Sequence, residues 1–154
     1  MLTHGEYNAR TTVEADIGAI AASMRPADAY EVKVLSGQDP TEALTSSYEL
    51  SQVCRTLSYK ETPLMMYGTV ELPDGSGCVW GLGSTEVEKH VIPFLRVSRS
   101  EVEILQGNFP VIFNYVHAAN HLHLKWVEFV GFVIDSPVLH QSGELVRPIH
   151  RSKI

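Results

Sequence analysis

Cysteine is scarce in this chain, which excludes a disulfide framework and a cysteine-rich metal site. The two cysteines among the 154 residues, Cys54 and Cys78, lie far apart and form no C-x-x-C pair. Their spacing favours two small, partly buried thiols in a reducing cytosol.

Positive charge and long apolar runs are also in short supply. Twelve Lys and Arg residues stand against 18 Asp and Glu residues, a formal charge of −6, whereas a surface dedicated to nucleic acid would need clustered basic residues. No run approaches the ~18 to 20 apolar residues of a membrane span, and no apolar signal sequence opens the chain. We therefore expect a soluble protein that has neither a membrane span nor a nucleic-acid surface.

The remaining composition is that of an ordinary globular protein. Apolar residues make up 44% of the chain and charged residues 19%, and the length fits a single domain over residues 1–154. The sequence contains no Walker loop, no G-x-S-x-G elbow and no paired-carboxylate motif. The pattern of its helices and strands therefore has to indicate what it does.

The stretch from Phe109 to Phe132 has the strongest pattern. Its first eight residues are mostly apolar and predict a strand buried on both faces. Apolar residues then recur with a helical period at Leu122, Trp126, Phe129 and Val130. Asn120 is expected to cap the start of this helix, and Gly131 to adopt a left-handed conformation at its end. The stretch therefore predicts a strand, a polar joint, a helix and a further strand.

Two helices are predicted in the N-terminal half. The first covers Thr11 to Met24, begins with a capping box and is stopped by Pro26. A short strand or extended link is expected at Val32 to Leu35. The second helix begins after the acidic cap Asp39 and is expected to run to about Leu57.

A β-hairpin follows. Pro63 to Leu72 and Gly77 to Gly83 are β-rich runs, and the Asp-Gly pair between them favours a tight turn. Beyond the hairpin, a segment that opens with a capping box at Thr85 is expected to break at Pro93, and a helix to restart at Ser98 and end at Gly107. Closing strands are predicted at Val133 to Asp135 and Leu145 to Ile149.

The order of strand, Asn, apolar helix and Gly-Phe resembles the last βαβ unit of the GCN5-related N-acetyltransferase (GNAT) fold. Three motifs are similar to the internal virion protein A family of short-tailed phages, whose members are GNAT-like: FLRVSR at Phe94 to Arg99, NYV at Asn114 to Val116, and N-x-x-H-x-x-W at Asn120, His123 and Trp126. The resemblance covers roughly Cys78 to Asp135. It implies an α/β fold with a GNAT-like mixed twisted sheet of about six or seven strands and helices on both faces.

The resemblance also implies where acyl-CoA would bind. In GNAT enzymes a strand splays from its neighbour, its free N–H groups polarise the thioester, and the following loop holds the pyrophosphate. That loop normally has the signature Gln/Arg-x-x-Gly-x-Gly/Ala, but here no Gln or Arg is in register. Two interpretations stay open: the glycines simply end a strand, or acetyl-CoA is held by Gly81, Gly83, Ser84, Thr85 and Asn120.

The catalytic groups that the resemblance implies are incomplete. The Tyr that protonates the CoA thiolate in the family falls at Val127, which cannot donate a proton. Tyr115, Glu71 and His123 are the remaining candidates, although Glu71 also fits an exposed hairpin carboxylate and His123 a structural histidine. Three histidines crowd the joint, but with no acidic or Cys partner at a motif spacing we expect no metal site: His117, His121 and His123.

Two functions follow from these observations. The first is a phage virion-associated protein on an acyltransferase-like scaffold without efficient catalysis. Its partners would be other virion proteins or a host protein, and it would lie in the host cytoplasm during infection, with packaging in the virion and homo-oligomer formation left open. The alternative is an acyl-CoA-dependent N-acyltransferase of the GNAT superfamily.

Overall fold

One mixed β-sheet organises the fold in the computed structural model, which describes residues 2–4, without their side chains, and residues 6–154. Its nine strands are, in chain order, β1 (Leu2–His4), β2 (Tyr7–Thr11), β3 (Val53–Tyr59), β4 (Thr62–Glu71), β5 (Gly77–Gly83), β6 (Val111–His117), β7 (Val133–Ile134), β8 (Val138–Leu139) and β9 (Leu145–Ser152). Their order across the sheet is β1-β2-β3-β4-β5-β6-β9-β7, with β8 also paired to β9. All pairs are antiparallel except β5 with β6, which run parallel.

Helices cover both faces of this sheet, as expected for an α/β fold. The helices are α1 (Ala15–Ala21), α2 (Pro26–Ser36), α3 (Pro40–Leu50), α4 (Val91–Gln106) and α5 (His121–Phe129), and a 3₁₀ helix, Thr85–His90, leads into α4. On one face Ile20 and Leu44 pack with Met66 of the sheet; on the other, Leu105 packs in a core with Ile112. No helix in the described part of the chain is long and apolar enough to span a membrane.

Several predicted elements are confirmed. The hairpin of β4 and β5 closes through a turn in which Gly75 has a φ of +87°. Asp39 forms a capping box, because its Oδ1 accepts the N–H of Glu42 at 2.8 Å and the Glu42 carboxylate accepts its N–H at 3.1 Å. Gly131 follows α5 with a φ of +96°, as the sequence predicts. These features depend on neighbouring residues only, which explains why the sequence predicts them.

The region predicted as an extended link is instead a helix. Val32 to Leu35 lie inside α2, which begins at Pro26 and ends before Gly37, whose φ is +74°. Proline suits the first helical position, where the missing N–H has no partner to lose, and glycine suits the left-handed position after the last. Pro26 therefore starts a helix rather than stopping one.

The predicted boundary of the following helix is wrong for a different reason. α3 ends at Leu50, and residues 53–59 form β3 between β2 and β4. Leu57 is fully buried, but as a strand residue. Pairing with two strands distant in sequence decides the conformation of this segment, and helical periodicity cannot reveal that pairing.

Two predicted helix starts are also wrong. Thr11 ends β2, and no side chain caps α1 at Glu14. Instead, the Asp16 carboxylate accepts the N–H of Val13 at 3.0 Å. The segment at Thr85 is a 3₁₀ helix that continues directly into α4, so Pro93 lies in the first turn of α4, where a proline is tolerated. Ser98 lies inside α4 and starts no new helix.

The backbone at Gly131 yields a stability prediction. Gly131→Ala should lower the free energy of unfolding by about 1 to 2 kcal/mol, because an L-residue resists a positive φ. The matched change Gly18→Ala should raise it by about 0.4 to 1 kcal/mol, since an added Cβ there meets no heavy atom within 4 Å. Urea denaturation measures both, and equal changes would contradict the assigned end of α5.

Candidate active site

The parallel strands β5 and β6 separate along their length and leave an opening in the sheet. They pair only at Gly77 with Ile112 and at Cys78 with Phe113. Just beyond this pairing, the Asn114 side chain donates from Nδ2 to the carbonyl oxygen of Val79 at 2.6 Å. β5 nevertheless stays paired to β4 up to Gly83, and β6 to β9 up to His117. The C-terminal halves of β5 and β6 therefore form the two sides of an opening.

An apolar cavity of about 300 Å³ lies on the α4 and α5 side of this opening. Phe94 from α4 and Leu122 and Trp126 from α5 form its walls, and the backbone of Gly81 belongs to its floor. A Cβ at Gly81 would lie 2.7 Å from Cε of Met65 and 3.6 Å from Cζ3 of Trp126. Glycine at this position therefore keeps space open between the sheet and the two helices.

Two carboxylates from α2 bind the backbone at the ends of the splayed strands. Oδ2 of Asp28 accepts the N–H of Gly83 at 2.8 Å, and Oε2 of Glu31 accepts the N–H of His117 at 2.8 Å. Asp28 and Glu31 are three residues apart, so they share one face of α2. Buried N–H groups need an acceptor. The oxygens of Asp28 and Glu31 provide it where the separated strands no longer form hydrogen bonds with each other.

Arg25 and Asn120 complete this buried network. Nη1 of Arg25 contacts Oδ1 of Asp28 at 2.6 Å, and its Nε contacts Oε1 of Glu88 at 2.9 Å. Nδ2 of Asn120 donates to Oδ1 of Asp28 at 2.9 Å and to Oε2 of Glu31 at 3.3 Å. Arg25, Asp28, Glu31 and Asn120 are all buried. These charges are stable away from water only because each has hydrogen-bonded partners.

The predicted cap role of Asn120 is therefore wrong. Asn120 does occupy the position before α5, but its side chain makes no cap hydrogen bond. Its Oδ1, the atom that would accept a cap hydrogen bond, instead faces the Arg25 guanidinium at 3.5 Å, and its Nδ2 donates to the carboxylates of Asp28 and Glu31. Asn120 is 2% exposed, so it contributes to the network and offers little surface to a ligand.

His123 connects the network to the cavity. Its Nδ1 lies 3.0 Å from Oε1 of Glu31, so Nδ1 carries a proton and donates it to the carboxylate. Its Nε2 has no hydrogen-bond partner among the described residues, and the side chain lines the cavity. Burial lowers the pKa of His123, but the charge and hydrogen bond of Glu31 and the charge of Asp28 outweigh it, so the pKa is raised.

The network also changes the pKa of Asp28. Burial raises the pKa of this carboxyl, although His123, Arg25 and the hydrogen bonds from Asn120 and Gly83 act against that increase. Ligand atoms of Asp28, Glu31 and His123 lie within 4.8 Å of one another, a spacing that a metal ion could bridge. All four carboxylate oxygens, however, already accept hydrogen bonds within the network. Arg25 supplies the positive charge that an ion would otherwise bring.

The structure places the other predicted site residues away from the cavity or only at its edge. Gly83 lines the cavity together with Gly81, but the N–H of Ser84 donates to Leu64 and that of Thr85 to Ser23, each at 2.8 Å. These two N–H groups cannot hold a phosphate while those bonds persist. Two candidates lie outside the cavity lining: Glu71, exposed at the hairpin end of β4, and Tyr115, 43% exposed on β6.

The sequence interpretation missed Arg25, Asp28 and Glu31. The proline at position 26 and the three-residue spacing of the two acids could have indicated a helix with one acidic face. Nothing in that pattern indicates that the acidic face is buried, since charged residues are rarely buried unless paired. Their partners come from strands and loops that are distant in sequence.

Comparison with solved structures identifies the fold. Ard1 from Thermoplasma volcanium superposes with a TM-score of 0.71 at 8% identity, covering 97% of this chain and 99% of that one. The aminoglycoside acetyltransferase AAC(6′)-Ib in complex with coenzyme A gives 0.67 at 14% identity, covering 96% and 95%. A mutant of spermidine N-acetyltransferase SpeG from Vibrio cholerae gives 0.65 at 11% identity, covering 97% and 95%. The chain has a GNAT-like fold. No protein-family profile and no curated protein sequence matches it.

The ion pair between Arg25 and Asp28 yields a second prediction. Arg25→Met should lower the free energy of unfolding by about 3 to 5 kcal/mol, because it leaves Asp28 buried without its cation. Arg99→Met should cost less than about 1 kcal/mol, since that exposed guanidinium only covers the Phe129 ring at 4.4 Å. Adding Asp28→Asn to Arg25→Met should recover part of the loss. Strictly additive effects in urea denaturation would contradict the pairing.

The raised pKa of His123 yields a third prediction. A raised pKa means that folding favours the protonated imidazole, so His123 stabilises the fold below its ordinary pKa of about 6.5 and loses this contribution as pH rises through the raised pKa. The melting temperature of His123→Gln should therefore fall further below that of the parent at about pH 5.5 than at about pH 9. Exposed His121→Gln serves as the control, and a pH-independent difference for His123→Gln would contradict the coupling to Glu31.

Proposed function

We propose that this protein is an acyl-CoA-dependent N-acyltransferase and that its apolar cavity holds the pantetheine and acyl arm. The observation that supports this best is the position of the cavity, which opens onto the splayed strands β5 and β6 with glycine backbone on its floor. The arm would lie extended between α4 and α5, with the thioester at its end near the opening. The GNAT-like fold, shared with an acetyltransferase bound to coenzyme A, agrees with this reading.

The backbone of Gly81 is the proposed donor to the thioester carbonyl. Alternate N–H groups of a strand face opposite neighbours, so the N–H of Gly81 faces the same side of β5 as that of Gly83. The N–H of Gly83 is already bound to Asp28, whereas the pairing with β6 ends at Cys78. A donor that is fixed before the reaction stabilises the oxyanion that forms when an amine attacks the carbonyl carbon.

An amine is the acceptor class that suits the surroundings of the cavity. The carboxylates of Asp28 and Glu88 contact Arg25, and that of Glu31 contacts His123. The Glu88 side chain is 54% exposed, so its carboxylate can attract a protonated amine to the site. The structural neighbours include enzymes named for acetylating aminoglycosides and spermidine. Spermidine, ribostamycin and a peptide with a free α-amine are therefore the first acceptors to assay.

Acetyl-CoA should bind weakly. The N–H groups of Ser84 and Thr85 are already used within the fold, and the loop has no matched Arg or Gln. Each missing charge-assisted hydrogen bond removes about 1.5 to 3 kcal/mol of binding free energy. We therefore expect a dissociation constant of about 100 μM or weaker.

Gly81→Val tests where the arm binds. The valine side chain would fill space between Met65 and Trp126, so the dissociation constant for acetyl-CoA, measured by NMR titration, should rise at least about tenfold. Gly18→Val is the matched control, because Gly18 is exposed on α1 and no heavy atom lies within 4 Å of an added Cβ. Unchanged binding by folded Gly81→Val would place the ligand elsewhere.

A second candidate function follows from the state of the opening. The strand-end N–H groups of Gly83 and His117 are both occupied by carboxylates of α2, and Val127 at the family's acid position is buried. These features favour a scaffold without efficient catalysis. The sequence resemblance to the internal virion protein A family adds the proposal that it is virion-associated and contacts other virion proteins or a host protein. Its presence in purified phage particles by mass spectrometry, together with no acetyl-CoA binding, would favour this candidate over the enzyme.

A further inference from the structure

We infer that His123 donates the proton to the leaving CoA thiolate, with Glu31 as the residue that positions it. The inference rests on the proposed acyltransferase function and assigns a catalytic group to it. It concerns the proton that the thiolate takes up when the carbon–sulfur bond breaks, for which Val127 offers no donor.

The position of His123 on α5 is the first argument. His123 precedes Val127 by four residues, one helical turn, so the two side chains lie on the same face of α5. Val127 is 1% exposed and packs in the core, whereas His123 lines the cavity beside Trp126. α5 therefore presents a proton donor to the cavity at His123, one turn before the buried Val127.

The orientation of the imidazole is the second argument. The hydrogen bond from Nδ1 to Oε1 of Glu31, at 3.0 Å, fixes the ring plane. Glu31 is itself held by the N–H of His117 and by Asn120. Nε2 is thereby left without a partner among the described residues, on a side chain that lines the cavity. A histidine held by a carboxylate at one nitrogen and free at the other is arranged for proton transfer.

The charges around His123 favour its protonated form. Arg25 directly precedes α2, α2 contributes Asp28 and Glu31, the 3₁₀ helix contributes Glu88, and α5 contributes Lys125 at the cavity. The carboxylates outweigh both burial and Arg25, so the pKa of His123 is raised. A larger share of the imidazole is therefore protonated near neutral pH than in a free histidine.

No other described side chain fits the role as well. The oxygens of Asp28 and Glu31 accept hydrogen bonds from Gly83, His117 and their neighbours, and Tyr115 lies outside the cavity lining. Lys125 lines the cavity, but its side chain is exposed. The free nitrogen of His123 is the better matched donor.

The reaction balances with this donor. The acceptor first loses its ammonium proton to solvent. The neutral amine nitrogen then attacks the thioester carbon, a carbon–nitrogen bond forms, and the carbonyl electrons move to the oxygen, which the N–H of Gly81 stabilises. The carbonyl reforms as the carbon–sulfur bond breaks, and the thiolate takes the proton from Nε2 of His123. The proton released by the acylated nitrogen passes to solvent, and the neutral imidazole takes up a proton again. The products are the amide and free CoA thiol.

His123→Gln is the direct test. Glutamine can still donate to Glu31 but cannot supply an acidic proton, so kcat with acetyl-CoA should fall about 10² to 10⁴-fold. The dissociation constant of acetyl-CoA should change less than about twofold. Exposed His121→Gln, on the same helix, should leave both unchanged. Assays use spermidine, ribostamycin and a peptide α-amine as acceptors, and thermal melting confirms that each variant is folded.

A change of leaving group separates catalysis from a structural role. An aryl thioester of acetic acid releases a thiolate that is stable without a proton, so it needs no acid. With this donor, the parent and His123→Gln should react at nearly the same rate. If His123 only shaped the cavity, the rates of His123→Gln with acetyl-CoA and with the aryl thioester would fall by the same factor. That result would overturn the inference.

The dependence of kcat/KM on pH tests the positioning role of Glu31. Activity that requires protonated His123 falls as pH rises through its pKa, so Glu31→Gln, which removes a negative charge, should move the alkaline limb of kcat/KM to lower pH. His123→Gln should remove that limb. Full turnover by His123→Gln would overturn the assignment of His123 as the proton donor and would leave the proposed acyltransferase function standing. A parent that does not bind acetyl-CoA, or binds it without transfer to any acceptor, would overturn the proposed function and the donor with it.

Discussion

The site depends on the hydrogen bonds that the two carboxylates of α2 accept from the backbone N–H groups at the ends of β5 and β6. A sheet that opens between two strands leaves N–H groups without partners, and burial makes each such group costly. Asp28 and Glu31 supply acceptors to Gly83 and His117. They thereby fix how far the strands separate, and Arg25 and Asn120 keep the carboxylates stable inside the protein.

The cavity exists because the polar network and the apolar core meet at the opening. On the α2 side, buried charges occupy the space; on the α4 and α5 side, the wall is formed by side chains such as Trp126 and Phe94. Trp126 is itself held, since its Nε1 donates to Oγ of Ser98 at 2.9 Å. A ligand arm bound at this boundary would contact apolar side chains on one side and polar groups on the other. This combination is usual in small-molecule sites.

Local signals in the sequence predict local features, and the site is not local. The Asp39 capping box and the left-handed Gly131 depend on a few neighbouring residues, and both are present. The conformation of α2 was missed because Pro26 can stop one helix or begin another, and only the packing of the chain decides between these. The burial of Asp28 and Glu31 could not be predicted, because the backbone N–H groups that donate to them lie more than fifty residues away along the chain.

The same carboxylates would link stability and catalysis in an acyltransferase built this way. Glu31 holds the end of β6 through one oxygen and His123 through the other, so a proton donor at His123 would be positioned by a residue that the fold already requires. A Tyr at position 127 would have to displace a buried valine that packs in the core. Moving the donor one turn along α5 avoids that rearrangement, because His123 already lies between the cavity and the charges that favour its protonation.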